Sequence, residues 1–106
     1  MTMYNPDVRA IAAEFRQECA EDYVGLWQIA RSLGSEQIPN AVRTDLIVDV
    51  TAHLLADETI RLGQFKEEVF VPWTGAVAAQ LERLRTELQQ LDRAPDIGEI
   101  GWFAAR

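Results

Sequence analysis

The residues of this chain that could do chemistry at a fixed spacing lie in DLIVDVTAHLLADE, residues 45–58. Asp45, Asp49, His53 and Asp57 recur every fourth position, and His53 is the only histidine. On a helix this spacing stacks three carboxylates and an imidazole along one side. Asp49 and His53, one turn apart, could share a metal ion as paired helical ligands do, which would make a metal-dependent enzyme. All four spread over about 18 Å of helix axis and cannot reach one ion. A complete site needs Glu14, Glu18 or Asp22 from another element, and nothing in the sequence brings them there. The competing readings are the solvated face of an amphipathic helix and a surface for a partner.

Other chemistries lack their residues. There is no glycine-rich phosphate loop and no G-x-S-x-G elbow. A Cys–His dyad could only be Cys19 with His53, and Cys19 falls on an apolar stripe, as a small core residue would. Acidic neighbours such as Glu21-Asp22, Asp57-Glu58 and Glu67-Glu68 are ordinary surface chemistry. No catalytic residue, metal or cofactor is implied.

The elements that must position these residues read as mostly helical. Asn5 as N-cap and Pro6 at the first helical position open a helix. Val8, Ile11, Phe15, Cys19, Leu26, Ile29, Ala30 and Leu33 keep one phase, joined by Asp22 and Tyr23, until Gly34 closes it as a C′ glycine. This is one helix of about 40 Å or two nearly sharing an axis, with a break at Gly25. The unbroken phase favours continuity. GSEQIPN is a loop, and Pro39 or Asn40 opens a second helix to about Ala56. Its apolar arc holds Ile47, Val48, Val50, Thr51, Leu54 and Leu55; its acidic arc also takes in Val42 and Leu46.

Ile60–Leu62 and Val69–Val71 are short β-permissive runs that pair as a hairpin or form an irregular connection. The link between them is longer than the tightest turns. Thr74 caps a last helix striped by Val77, Leu81, Leu84, Leu88 and Leu91, ended by Pro95. Packing on the first helix is the commoner use of such a stripe; a homodimer seam through Leu81-Leu84-Leu88-Leu91 is the other. Trp27, Trp73 and Trp102 form a shared cluster pinning strand and tail to the helices, or an exposed aromatic binding surface.

With 106 residues, 48% hydrophobic and 25% charged, the chain suits one globular domain over 1–106. One cysteine excludes an internal disulfide, and no apolar run is long enough to span a membrane. The N-terminus lacks a secretory pattern, so the expected location is cytoplasmic. Seventeen acidic against ten basic side chains give a net charge of −7. That balance argues against nucleic acid and anionic membranes, and suits another protein, a basic one included.

The order helix, loop, apolar helix, IRLG, charged link and VFVPW over residues 23–73 resembles a winged helix-turn-helix domain, whose wing is a strand pair after the recognition helix. The would-be recognition helix carries Asp45, Asp49 and Asp57 where DNA reading needs Arg, Lys, Asn or Gln, so the resemblance implies a regulator without DNA binding. Phe70-x-Pro72-Trp73 and the ending Gly98-Glu99-Ile100-Gly101-Trp102-Phe103, with Leu26-Trp27, resemble small bacterial helical proteins of uncharacterised function; this implies no activity. Size and acidity are similar to those of bacterial immunity proteins, which neutralise a toxin by binding it. The expected fold is mainly α, three or four helices packed in a layer-on-layer bundle with a short β-hairpin or strand between the second and third. The candidate partner-binding residues are Asp45, Asp49, His53, Asp57, Trp27, Trp73 and Trp102.

Overall fold

The computed structural model describes residues 7–33 and 38–105. Its elements in chain order are α1 (Val8–Glu21), β1 (Val24–Gly25), α2 (Leu26–Ser32), α3 (Asn40–Leu55), β2 (Ile60–Lys66), β3 (Val69–Pro72), α4 (Val77–Leu91) and β4 (Trp102–Ala105). The four strands form one antiparallel sheet in the order β1-β4-β2-β3. The helical part of the expectation stands, but the β part is a sizeable sheet and not a lone hairpin.

The expected continuous first helix is two helices separated by a strand. Asp22 is fully extended and its backbone N–H closes α1 on Glu18 O. Asp22 Oδ1 accepts from the Tyr23 N–H at 2.7 Å. Gln28 Oε1 accepts from the Gly25 N–H at 2.7 Å and starts α2. The apolar phase survives because Val24, as a strand residue, buries on the same side as Phe15, Cys19 and Ile29. Periodicity reports which side is buried, not whether the backbone is helical. The proposed Asn5-Pro6 start and the Gly34 stop lie outside the described residues. The cap observed on α1 is Asp7, whose Oδ1 accepts from Ala10 N at 3.1 Å.

Helix α3 runs as expected from Asn40 to Leu55. It is the central helix, in contact with α1, α2, α4 and β2. The leucine stripe packs on α3, not on α1. Leu84 and Leu88 are fully buried there, and Leu81 packs against the edge of the core. Helix α4 begins later than Thr74 predicts. Gly75 takes a left-handed turn (φ 98°), so the N-cap falls to Ala76, which has no side chain to cap with.

The hairpin forms and is tighter than expected. Strand β2 continues through Gly63 to Lys66, leaving a two-residue loop of Glu67 and Glu68. Both have positive φ, 51° and 70°, as a type I′ connection requires. Strand β4 in the tail is not anticipated by the sequence pattern. It pairs with β1 at Val24↔Phe103 and with β2 at Leu62↔Phe103. Val24, Ile60, Leu62 and Phe103 form the sheet's inner face and are buried in the same core as the helices.

Glycine is enforced by packing at Gly63. A Cβ there would come within 2.7 Å of Phe70 Cζ and of Pro72 Cα, with Val71 O nearer still. Gly63→Ala therefore has to push β3 off the sheet. Overpacking of this kind costs about 1–3 kcal/mol, which thermal unfolding should register as a fall in Tm of roughly 4–20 °C.

Candidate functional site

The four-residue acidic repeat is not a straight column. Four residues advance about 400° on a helix, so Asp45, Asp49 and His53 drift by about 40° each, and Asp57 lies beyond the end of α3, in the turn to β2. Asp45 faces α4 and takes an ion pair from Arg85. Asp57 faces α1, where Arg16 Nε lies 3.3 Å from its Oδ2. Arg16 also donates to the His53 carbonyl oxygen at 3.2 Å.

Asp57 has a further structural use. Its Oδ1 accepts from Thr59 N at 3.0 Å and from Thr59 Oγ1 at 2.7 Å. These bonds, the backbone one first and then the hydroxyl, hold its carboxyl below the usual range, with Arg16 adding to them. The turn so formed carries the chain from α3 into β2. Asp49 is exposed and His53 is half-buried. Glu14, Glu18 and Asp22 do not join them: among the described residues, no three of His, Cys, Asp and Glu converge as ligands.

Cys19 is buried on α1, and desolvation, with a smaller contribution from Glu18, raises its thiol to about 11. Below that pH it stays protonated and is no nucleophile. A thiol reagent at pH 8 should leave the folded protein unlabelled and react with one equivalent once denaturant is added; labelling at the rate of free cysteine would contradict this.

The three tryptophans have different fates. Trp73 is buried under the Arg83 guanidinium, which sits 3.8 Å above its ring. It pins β3 to α4 and has little surface to offer a partner. Trp27 is half-buried beneath Arg31, at 4.8 Å. It closes over Gly25, where a Cβ would meet Trp27 Cδ1 at 2.5 Å and Trp102 Cζ3 at 3.3 Å. Trp102 belongs to an aromatic group that the sequence reading did not single out.

That group covers the outer face of the sheet. Strand alternation sends Phe103 and Leu62 inward, and therefore Trp102, Phe65 and Phe70 outward. Phe65 packs edge-on to Phe70 (5.8 Å between centroids), to Trp102 (5.6 Å) and to Tyr23 (4.8 Å), with Tyr23 5.7 Å from Phe70. Tyr23 is 46% exposed and Phe65 38%. The sequence signal was present but divided: Tyr23 is assigned to a helix stripe, and Phe65 to a link that is in fact strand. The sheet's free edge is less inviting than its face, because Pro72 on β3 has no N–H to give an added strand.

A cleft of about 760 Å³ lies between the C-terminal end of α3, the sheet and the start of α4. Its titratable lining side chains are Glu58 and Arg61, with no histidine, cysteine or hydroxyl nucleophile among them. It does not assemble an acid–base or nucleophilic set. No protein-family model, curated protein or solved structure matches the chain.

The segment leading into β4 is clasped by Arg93, chiefly through Glu99. Arg93 donates from Nη1 and Nη2 to the two oxygens of Glu99 at 2.7 and 2.8 Å, and Asp96 N donates to Glu99 Oε1 at 2.7 Å. These bonds, Arg93 first, lower the Glu99 carboxyl to about 2 from an ordinary 4.5. Its contribution to stability is present above pH 4.5 and is lost as pH falls towards 2. Glu99→Gln should flatten the stability-versus-pH curve in that window, as measured by urea unfolding at stepped pH. An unchanged slope would show that the clasp is unlinked to folding.

Proposed function

We propose that this chain works by protein–protein contact and not by catalysis, an immunity- or antitoxin-like role being the most concrete form. The observation that carries the reading is the outer face of the sheet, where Tyr23 and Phe65 stand exposed on a packed aromatic base. Rigid aromatic side chains offer large contact area at small entropic cost, and they are the commonest anchors of protein interfaces. Trp102 and Trp27 border this face. Asp45 and Asp57 have partners inside the chain, which weakens α3 as the contact surface in favour of the sheet. A homodimer through the leucine stripe has less support, because Leu84 and Leu88 are already buried and only Leu81 and Leu91 keep area to offer.

The order α2, α3, β2, β3 supports a second reading, a winged-helix-like regulator that does not read DNA. Asp45 and Asp49 on the exposed side of α3 weigh against phosphate contact in that reading. Either way the working surface is one for protein. No helix among the described residues is long and apolar enough to cross a membrane.

The test is coexpression with the product of the neighbouring gene and gel filtration of the pair. We expect a stable complex with the natural chain. The double variant Tyr23→Ser, Phe65→Ser should keep its helical circular dichroism and elute alone. No complex with the natural chain removes the immunity-like form, and a complex that survives the double variant moves the contact elsewhere.

A further inference from the structure

We propose that the cleft between the end of α3, the sheet and the start of α4 binds a small organic acid. Arg61 and the N-terminal end of α4 hold its carboxylate, and the cleft walls hold its apolar part. This site is separate from the protein-contact reading of the sheet face and does not depend on it.

The cleft follows from how β3 ends. The β2–β3 register stops at Gly63↔Pro72, with Trp73 N donating to Leu62 O at 2.8 Å. Beyond it the chain turns away through Gly75, whose left-handed φ of 98° precedes α4. Ile60 and Arg61 therefore have β4 on one side and no described strand on the other. The gap is the cleft, about 760 Å³, walled by Leu55, Ile60, Pro72 and Val77. Small-molecule sites have volumes of about 300–1,000 Å³ and the same build, apolar walls with a few polar groups.

The first observation is a pair of donors without acceptors. Trp73 lines the cleft, is only 7% exposed, and its indole N–H has no acceptor within the chain. Arg61 lines it too, and its buried Nε also lacks an acceptor. A buried donor without an acceptor costs stability, and each one in a native structure calls for a partner. Arg61 is in no ion pair among the described residues, although the chain has 17 acidic side chains against 10 basic ones. Arg9, Arg31 and Lys66 are likewise in no ion pair, but they are exposed and water serves them. Arg61 is under cover, its guanidinium 5.8 Å from the centre of the Phe70 ring.

The second observation is the helix end that meets the cleft. Helix α4 is 15 residues long, and its N-cap, Ala76, gives no side-chain bond to the first N–H groups. No acidic residue stands in its first turn. Such an end carries partial positive charge and binds anions through its free N–H groups. Gln80, also on the lining, spends its amide N–H on Gly75 O at 2.9 Å. Glu58 is the acidic residue of the lining, and it already has a partner within the chain. What stays unspent at the cleft is donors and positive charge, which fits an anion and not a metal ion. One guanidinium and one helix end match a single carboxylate, and the walls match an apolar group joined to it.

The experiment is amide and indole chemical-shift mapping of the full chain with phenylacetate, and separately with neutral phenylacetamide and with inorganic phosphate. We expect saturable shifts by phenylacetate at Arg61, from Val77 to Ala79 and at the Trp73 indole N–H, and much weaker binding of the other two. Arg61→Gln should bind phenylacetate roughly tenfold more weakly, a charged hydrogen-bond donor having been lost. Ala76→Asp puts a carboxylate of the chain's own at the helix end. It should raise Tm by roughly 2–10 °C and abolish the phenylacetate shifts. If Arg61→Gln does not fold, Ala76→Asp decides. Equal binding of phenylacetamide would make the cleft merely apolar, and equal binding of phosphate would make it a bare anion site; either overturns the proposal. So would undiminished binding by Arg61→Gln, an Ala76→Asp chain that keeps the phenylacetate shifts, or shifts confined to Tyr23, Phe65 and Phe70.

Discussion

Strand β4 holds both sides of the sheet together. Trp102 and Phe103 pair with β1 on one edge, and all four of its residues pair with the first half of β2 on the other. Phe103, at the centre of both registers, is fully buried. A strand of two residues such as β1 has no stability of its own and exists because β4 pairs with it. The same contact fixes the start of α2, where Leu26 N donates to Gly101 O at 3.1 Å. Gly101 also lets this segment lie close to β2, because it has no side chain: a Cβ there would meet Gly63 O at 2.9 Å and Leu62 Cδ1 at 3.2 Å. The last residues of the chain thus decide where its first helix ends.

This dependence explains what could be read from the sequence and what could not. Helix α3 was legible because its apolar arc, from Ile47 to Leu55, is set by burial within one helix. The hairpin was legible in outline because Val69-Phe70-Val71 and Pro72 carry local strand and stop signals. Its tight turn was not, because Glu67 and Glu68 are not residues that favour positive φ, and the pairing of Phe65 with Phe70 across the hairpin fixes them there. Strand β4 was illegible because Trp-Phe-Ala-Ala has no alternation of its own, and its strand character comes from partners about 40 and 80 residues away, a non-local pairing that single-sequence patterns do not carry. The break before α2 was hidden by the same fact.

The candidate site follows the same division. The acidic repeat was a true local pattern on α3 as far as His53, but Asp57 falls in the turn after the helix, and the ends of the repeat go to Arg85 of α4 and Arg16 of α1. Two of its four members, Asp45 and Asp57, thus tie neighbouring elements together. Exposed pairs of this kind add little energy each, but Asp57 also shapes the turn into β2. The aromatic group was the converse. Tyr23, Phe65, Phe70 and Trp102 are spread over 80 residues and share no motif, so only the sheet shows that they meet.

The end of α1 and the aromatic face are products of one constraint. Because β4 captures Val24 and Gly25, the chain must leave the helix at Asp22. That exit places the negative end of α1, with Glu18 and Glu21 on it, immediately beside the edge of the sheet. It also turns Tyr23 outward onto Phe65 and Phe70 in place of leaving it on a helix surface. Had the helix continued to Leu33, the carboxylates would lie in mid-helix, away from any terminus, and Tyr23 would not reach the hairpin. The end of α1 and the aromatic platform are joined at Tyr23, and their proximity is a consequence of the pairing of β1 with β4.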